Sequence, residues 1–318
     1  MVKVKNLLTL DEINSNDLSE ILRLAAVMKF ERRRGIRKRL LEGRSLALIL
    51  QKPSTRTRVS FEAAMTELGG HAITLDTNML QLVRGETIED TSRTISSYVD
   101  AVAARMTKHK ELENFAAASR VPVFNCLSNN FHPCQTLADL HTVIEEKGSS
   151  NDVKVAWIGD GTNVCNSLLV GFSKMGFNLV IATPPNHEPL KSAVNIALKN
   201  CKKNGSNISF TNDPSQAVEM ADAVFTDSFV SMGLENERRK RLRTFIPKYQ
   251  INTKLMKRAK KDAIFLHCLP AHRGAEVTDE VIDGSQSRVW QVAENRIHTQ
   301  KALLCYFLLN RKAINDLI

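Results

Sequence analysis

Paired cysteines, aromatic rings and long apolar runs are all scarce in this 318-residue chain. The six cysteines (Cys126, Cys134, Cys165, Cys201, Cys268 and Cys305) are scattered without a Cys-x-x-Cys pair, which suggests neither a disulfide framework nor a structural zinc site. Aromatic residues make up only 6%. No apolar stretch approaches the length of a bilayer span, so no membrane association is expected. The opening residues, Met1-Val2-Lys3-Val4-Lys5-Asn6, lack the apolar stretch and small-residue cleavage site of a secretory signal, and the expected location is cytoplasmic. In that compartment Asn207-Ile208-Ser209 is a chance match to the glycosylation pattern.

Hydrophobic residues at 43% and charged residues at 25% describe an ordinary globular protein, and the length exceeds what one core usually supports, so two domains are expected. The net charge of +10 could serve nucleic acid, a membrane surface or small anions. It is bunched in two runs, one of Arg32, Arg33, Arg34, Arg37, Lys38 and Arg39, the other of Arg238, Arg239, Lys240, Arg241 and Arg243. No aromatics interleave with either run, so each reads as a solvated helix face rather than a nucleic-acid footprint.

Apolar residues from Leu18 to Met28 recur at helical spacing behind Ser15 or Asn16 as N-cap. After Gly43 strands and helices alternate. Strands are predicted at 46–50, 72–75, 101–104 and 121–125, and helices at 59–68, 87–98, 110–119 and 136–147. The polar stretch Gly148-Ser149-Ser150-Asn151 marks a break. The pattern restarts with strands at 153–158, 179–182, 223–226 and 263–266 and helices at 164–174 and 190–202. This alternation predicts an α/β fold of two domains, each a parallel β-sheet flanked by helices. The expected boundaries are 1–148 and 149–285, with a C-terminal helix in 286–318 bridging the domains and packing back on the first.

Ser54-Thr55-Arg56-Thr57-Arg58 follows a strand and Pro53 and precedes a helical run. Unpaired backbone N–H groups at a helix N-terminus, joined by hydroxyls and guanidinium groups, make a phosphate site. The blander reading is a capped helix with solvated arginines. Asp227, at a strand's C-terminal end, could cap a loop or hold an ammonium; in open α/β sheets ligands gather at such ends. Ser231-Met232-Gly233 reads as an ordinary turn or, with the charged stretch after it, as a mobile loop closing over substrate. His267-Cys268 invites a metal or thiolate reading, but no third ligand and no general base stand at a suitable spacing. Gly159-Asp160-Gly161 after a strand suggests a dinucleotide fold, yet Val164 stands where the third glycine is required.

The segment Lys52 to Phe61, KPSTRTRVSF, resembles the carbamoyl-phosphate signature of the aspartate/ornithine carbamoyltransferase family. Gln81 with Arg84-Gly85-Glu86 is similar to the QxxRGE segment of the ornithine branch. Arg105 at a strand end, His132-Pro133-Cys134-Gln135, Gly159 to Asn163, Asp227 with Ser231-Met232-Gly233, His267-Cys268-Leu269-Pro270 and Glu294-Asn295-Arg296 follow in the family's order, and the resemblance spans essentially the whole chain. Two departures are visible: Thr162-Asn163 replaces a pair of asparagines, and Cys134 stands where threonine is commoner.

The resemblance implies transfer of the carbamoyl group of carbamoyl phosphate to the side-chain amine of L-ornithine, in arginine metabolism, without a cofactor or metal. A sister enzyme using another amine such as putrescine is the alternative. It further implies that Ser54, Thr55, Arg56 and Thr57 hold phosphate and that Arg105 bridges phosphate and carbonyl oxygen. His132 would donate to that oxygen and Gln135 would orient the carbamoyl amide, an oxyanion-type arrangement. Arg296, Cys268 and Leu269 complete the grip, while Asn163, Asp227, Ser231 and Met232 orient the amino acid. The expected assembly is a homotrimer, or a multiple of trimers, in which Gln81 reaches a neighbouring subunit's site.

Overall fold

The computed structural model describes residues 5–77, 80–148, 151–231 and 233–317. It divides into two compact units, Met1–His141 with Glu294–Ile318 and Thr142–Ala293. Both divisions fall inside helices.

In the first unit strands β1 (Ser45–Leu50), β2 (His71–Asp76), β3 (Ala101–Arg105) and β4 (Val123–Leu127) form a parallel sheet in the order β2-β1-β3-β4. Its helices are α1 (Ser15–Arg33), α2 (Thr55–Glu67), α3 (Ile88–Ile95), α4 (His109–Ala118) and the first part of α5 (Pro133–Lys147). The central strand β3 is buried at all five positions, and it reads as a continuous apolar run up to its last residue, Arg105. Edge strand β2 alternates between exposed and partly buried residues. Ala47, Ile49, Val102, Leu112, Phe115 and Val123 form the core beneath, each large side chain contributing about 1.5–3 kcal/mol by burial.

The second unit continues with β5 (Lys154–Ile158), α6 (Asn163–Lys174), β6 (Asn178–Ala182), α7 (Lys191–Asn204), β7 (Ile208–Thr211), α8 (Pro214–Val218), β8 (Ala223–Thr226), α9 (Arg238–Phe245), α10 (Thr253–Met256), β9 (Ile264–His267) and α11 (Asp279–Ile282). Its five strands are parallel in the order β7-β6-β5-β8-β9. Helix α12 (Val289–Leu308) and a short α13 (Arg311–Asn315) end the chain.

Each sheet has one point where the chain reverses the direction in which it lays down strands: between β1 and β3 in the first, between β5 and β8 in the second. Loops leaving the carboxyl ends of neighbouring strands diverge there and leave a crevice that ligands use.

Several local expectations shift. Helix α1 is capped by Asn14, whose side chain accepts from the Asp17 N–H, not by Ser15 or Asn16. Helix α2 begins at Thr55 rather than Val59, and α5 at Pro133 rather than Thr136. Strand β7 and the short helices α8, α10, α11 and α13 carry too little periodic apolar sequence to be predicted.

Candidate active site

The early start of α2 changes the geometry of its motif. Ser54 is the N-cap, makes no side-chain capping hydrogen bond, and is followed by Thr55, Arg56 and Thr57 in the first helical turn. Ser54, Thr55, Arg56 and Thr57 thus stand at the start of a helix that follows β1, a position whose partial positive charge favours an anion. Arg105 closes the adjacent strand β3, pairs in register with Leu50, and is buried. Both segments flank the reversal point of the first sheet.

His132 and Gln135 stand at the start of α5, and Arg296 in α12; all three are buried. One Arg296 nitrogen donates to Gln135 Oε1 at 2.8 Å and the other to Thr57 Oγ1 at 3.4 Å. Gln135 in turn donates to Asp139 Oδ1 at 2.9 Å, which fixes which face of the amide is which. Burial, reinforced by the positive fields of Arg296, Arg105 and Arg56, holds the His132 imidazole well below the usual histidine range. His132 is therefore neutral at pH 7, so a single ring N–H is what it can donate. Cys134 packs against Cys126, and burial followed by the thiol–thiol hydrogen bond pushes the Cys126 thiol well up. A neutral buried thiol has packing, not nucleophilic, value.

In the second unit Asp227 directly follows β8, and its Oδ1 accepts from Cys268 Sγ at 3.1 Å and from the Ser228 N–H at 2.7 Å. The expectation that no general base stands beside this thiol is corrected by the fold, which brings the Asp227 carboxylate to it. Leu269 has φ 59, a left-handed conformation rare outside glycine, and its N–H donates to His267 Nδ1 at 2.8 Å. That bond puts the ring proton on Nε2, which faces the buried Glu276 carboxylate at 3.4 Å. Burial works to raise the Glu276 carboxyl, but the adjacent His267 ring and the hydrogen bond from the His272 backbone outweigh it and hold it below the ordinary range. Asp227, His267 and Cys268 bring three donor atoms within 4.8 Å, so the third ligand missing in sequence is present in space. With His267 Nδ1 accepting and Nε2 turned to Glu276, the ring is committed to the loop.

Asn163 opens α6, and its Oδ1 accepts from the Val164 N–H at 2.9 Å. The buried hydroxyl oxygens of Thr162 and Ser231 have no hydrogen-bond partner among the described residues. Met232 lies outside the described residues. Gln81 is exposed on a short 3-10 helix, Gln81–Arg84.

The glycines after β5 serve packing. A Cβ on Gly161 would sit 2.3 Å from the Pro189 nitrogen, and one on Gly159 would meet Thr226 and Phe229 at 3.2 and 3.3 Å. The loop is closed on itself where a dinucleotide fold would approach a pyrophosphate.

Two family models divide the chain at this same architecture. "Aspartate/ornithine carbamoyltransferase, carbamoyl-P binding domain" matches residues 5–145, and the family's "Asp/Orn binding domain" matches 151–307. The chain belongs to the aspartate/ornithine carbamoyltransferase family. Among similar members of this carbamoyltransferase family, the ornithine carbamoyltransferase of Pyrococcus horikoshii is 49% identical over 307 residues, covering 96% of each chain. The solved ornithine carbamoyltransferase of Pyrococcus furiosus superposes with a TM-score of 0.93 at 48% identity, over 96% of this chain and 98% of that one. The anabolic enzyme of Campylobacter jejuni gives 0.90 at 42% identity, over 95% and 98%.

Several residues around these two groups escape sequence reasoning. Asp139 could have been found from its i, i+4 spacing to Gln135. Glu276 has no local signal. Arg241 was read as part of a solvated face, yet it is buried and paired with Asp160, while its neighbours Arg238, Arg239, Lys240 and Arg243 are exposed.

Proposed function

We propose that this chain transfers the carbamoyl group of carbamoyl phosphate to the side-chain amine of L-ornithine, giving L-citrulline and phosphate. The observation that carries the reading is Arg296 hydrogen-bonded to both Thr57 and Gln135, which joins the phosphate-type helix start to an oriented amide beside a neutral imidazole.

The reaction needs two developing negative charges stabilised, one on the carbonyl oxygen and one on the departing phosphate. Ser54, Thr55, Arg56 and Thr57 take the phosphate, and Arg105 spans phosphate and carbonyl oxygen. His132, held neutral, donates its N–H to that oxygen, and Gln135 orients the carbamoyl amide; preorganised donors of this kind need no rearrangement as charge develops. Asp227, Asn163, Ser231 and Met232 hold the amino and carboxylate groups of the acceptor, and Cys268 with Leu269 border the attacking amine.

An amine of this type has an unperturbed pKa of about 10.4, so roughly one molecule in a thousand or fewer is nucleophilic at pH 7. The departing phosphate accepts the proton in this account. We assign the working assembly as a homotrimer or a multiple of it, with Gln81 reaching a neighbouring subunit. Exposed Val59, Ile73 and Val83 on the first unit support such contacts. The free state of all six cysteines fits the reducing cytoplasm.

The test is stoichiometric: citrulline and phosphate should appear in equal amounts from carbamoyl phosphate and ornithine. Phosphate release without a ureido product would refute the transfer.

A further inference from the structure

The acceptor residues sit on two segments of the second unit that are far apart in sequence, the loop after β5 leading to Asn163 and the segment from Asp227 to Ser231 after β8. One side chain grips both. Arg241 of α9 donates through Nε to the carbonyl oxygen of Phe229 at 2.6 Å and through a terminal nitrogen to the Asp160 carboxylate. Phe229 lies midway between Asp227 and Ser231, and Asp160 three residues before Asn163. The two charged side chains are 6% and 8% exposed.

The grip is itself supported. The second Asp160 oxygen lies 3.3 Å from His187 Nδ1. The His187 ring packs edge-on against Phe245 at 4.9 Å, and its carbonyl accepts from the Gly161 N–H at 2.9 Å. Phe245 also stacks on Phe229 at 4.6 Å and lies under the Arg241 guanidinium at 5.6 Å. Trp157 Nε1 donates to the Asp160 carbonyl at 3.1 Å, which pins the same loop from the sheet side.

Stability alone does not explain this choice of residues. A buried ion pair offers little over well-packed apolar side chains of similar volume, because both charges must be desolvated. Burial indeed pushes the Asp160 carboxyl up, against the pull of Arg241 and His187. An apolar residue at position 241 would fill the space but could not donate to the Phe229 carbonyl and the Asp160 carboxylate at once.

We propose that the Asp160–Arg241 pair is a positioning device of the acceptor site, fixing the Asp227–Ser231 segment against the Asn163 loop and so setting affinity for the amino-acid acceptor without touching it. This rests on the ornithine reading above. It also gives the second basic run a role that its composition hides.

The experiment compares the full-length protein with Asp160→Asn, Arg241→Gln and Arg241→Lys, measuring both Michaelis constants, kcat and thermal unfolding. The ornithine KM should rise at least tenfold in all three, with the carbamoyl-phosphate KM within twofold of the parent. Arg241→Lys keeps the charge but loses the second donor, so it should recover unfolding temperature and not ornithine KM. Folded variants with unchanged ornithine KM would overturn the proposal while leaving the activity intact. Failure of all three to fold would assign the pair to the fold and overturn it equally. A parent protein that does not carbamoylate ornithine would instead refute the functional reading, and the proposal with it.

Discussion

Cys268 Sγ lies 3.1 Å from Oδ1 of Asp227, so a thiol from the loop after β9 donates to a carboxylate that follows β8. A thiol is a weak donor, so this hydrogen bond contributes at most about 1.5 kcal/mol, roughly tenfold in a rate or binding constant. Cys268→Ala should lower kcat/KM for ornithine by that order, and Cys268→Ser, which keeps a donor, should lose less. Equal activity in the alanine variant and the parent would show that the contact is incidental.

Removing the Arg56 guanidinium should act on the other substrate. Arg56→Ala loses a charge-assisted phosphate contact at the start of α2, and the KM for carbamoyl phosphate should rise on the order of tenfold or more. Ornithine affinity should barely move. The result that contradicts the assignment is an unchanged carbamoyl-phosphate KM in initial-rate measurements.

The pH–rate profile follows from His132. Its imidazole is neutral well into the acid range, so no histidine limb is expected between pH 6 and 9. The rate at low ornithine should instead climb with the free-amine fraction, up to about tenfold per pH unit below 10.4. An inflection near 6.5 that disappears in His132→Gln would mean that the ring titrates.

Much of the fold is legible in the sequence because buried parallel strands carry short apolar runs, such as Ala101 to Ala104 in the strand that ends at Arg105. Strand Ile208–Thr211 is not, since it is a short edge strand whose two central residues are exposed, Phe210 at 46%. The donor residues are legible because they are consecutive at strand ends. Arg241 and Glu276 are not, because burial comes from segments distant in the chain, and nothing in a run of basic residues marks the one that turns inward.

Acid stability offers a check on packing independent of catalysis. His298, fully buried in α12, is lowered to about 3 by burial and by the positive fields of Lys29, Lys301 and Arg32. Between about pH 6.5 and 3 the unfolded chain binds a proton there and the folded one does not, so this contribution is intact above 6.5 and is lost as pH falls. In urea unfolding at pH 6, 5 and 4, the parent should lose about 1.4 kcal/mol per unit more than His298→Gln. Parallel slopes would exclude a neutral buried histidine.

The central claim is tested most directly by a panel of acceptors. Purified protein with carbamoyl phosphate is given L-ornithine, putrescine or L-aspartate separately, and kcat/KM for ureido product is measured. Turnover of ornithine with negligible rates for the other two is the predicted result. Product from putrescine or aspartate in preference to ornithine would keep the phosphate site and contradict the roles given to Asp227 and Ser231.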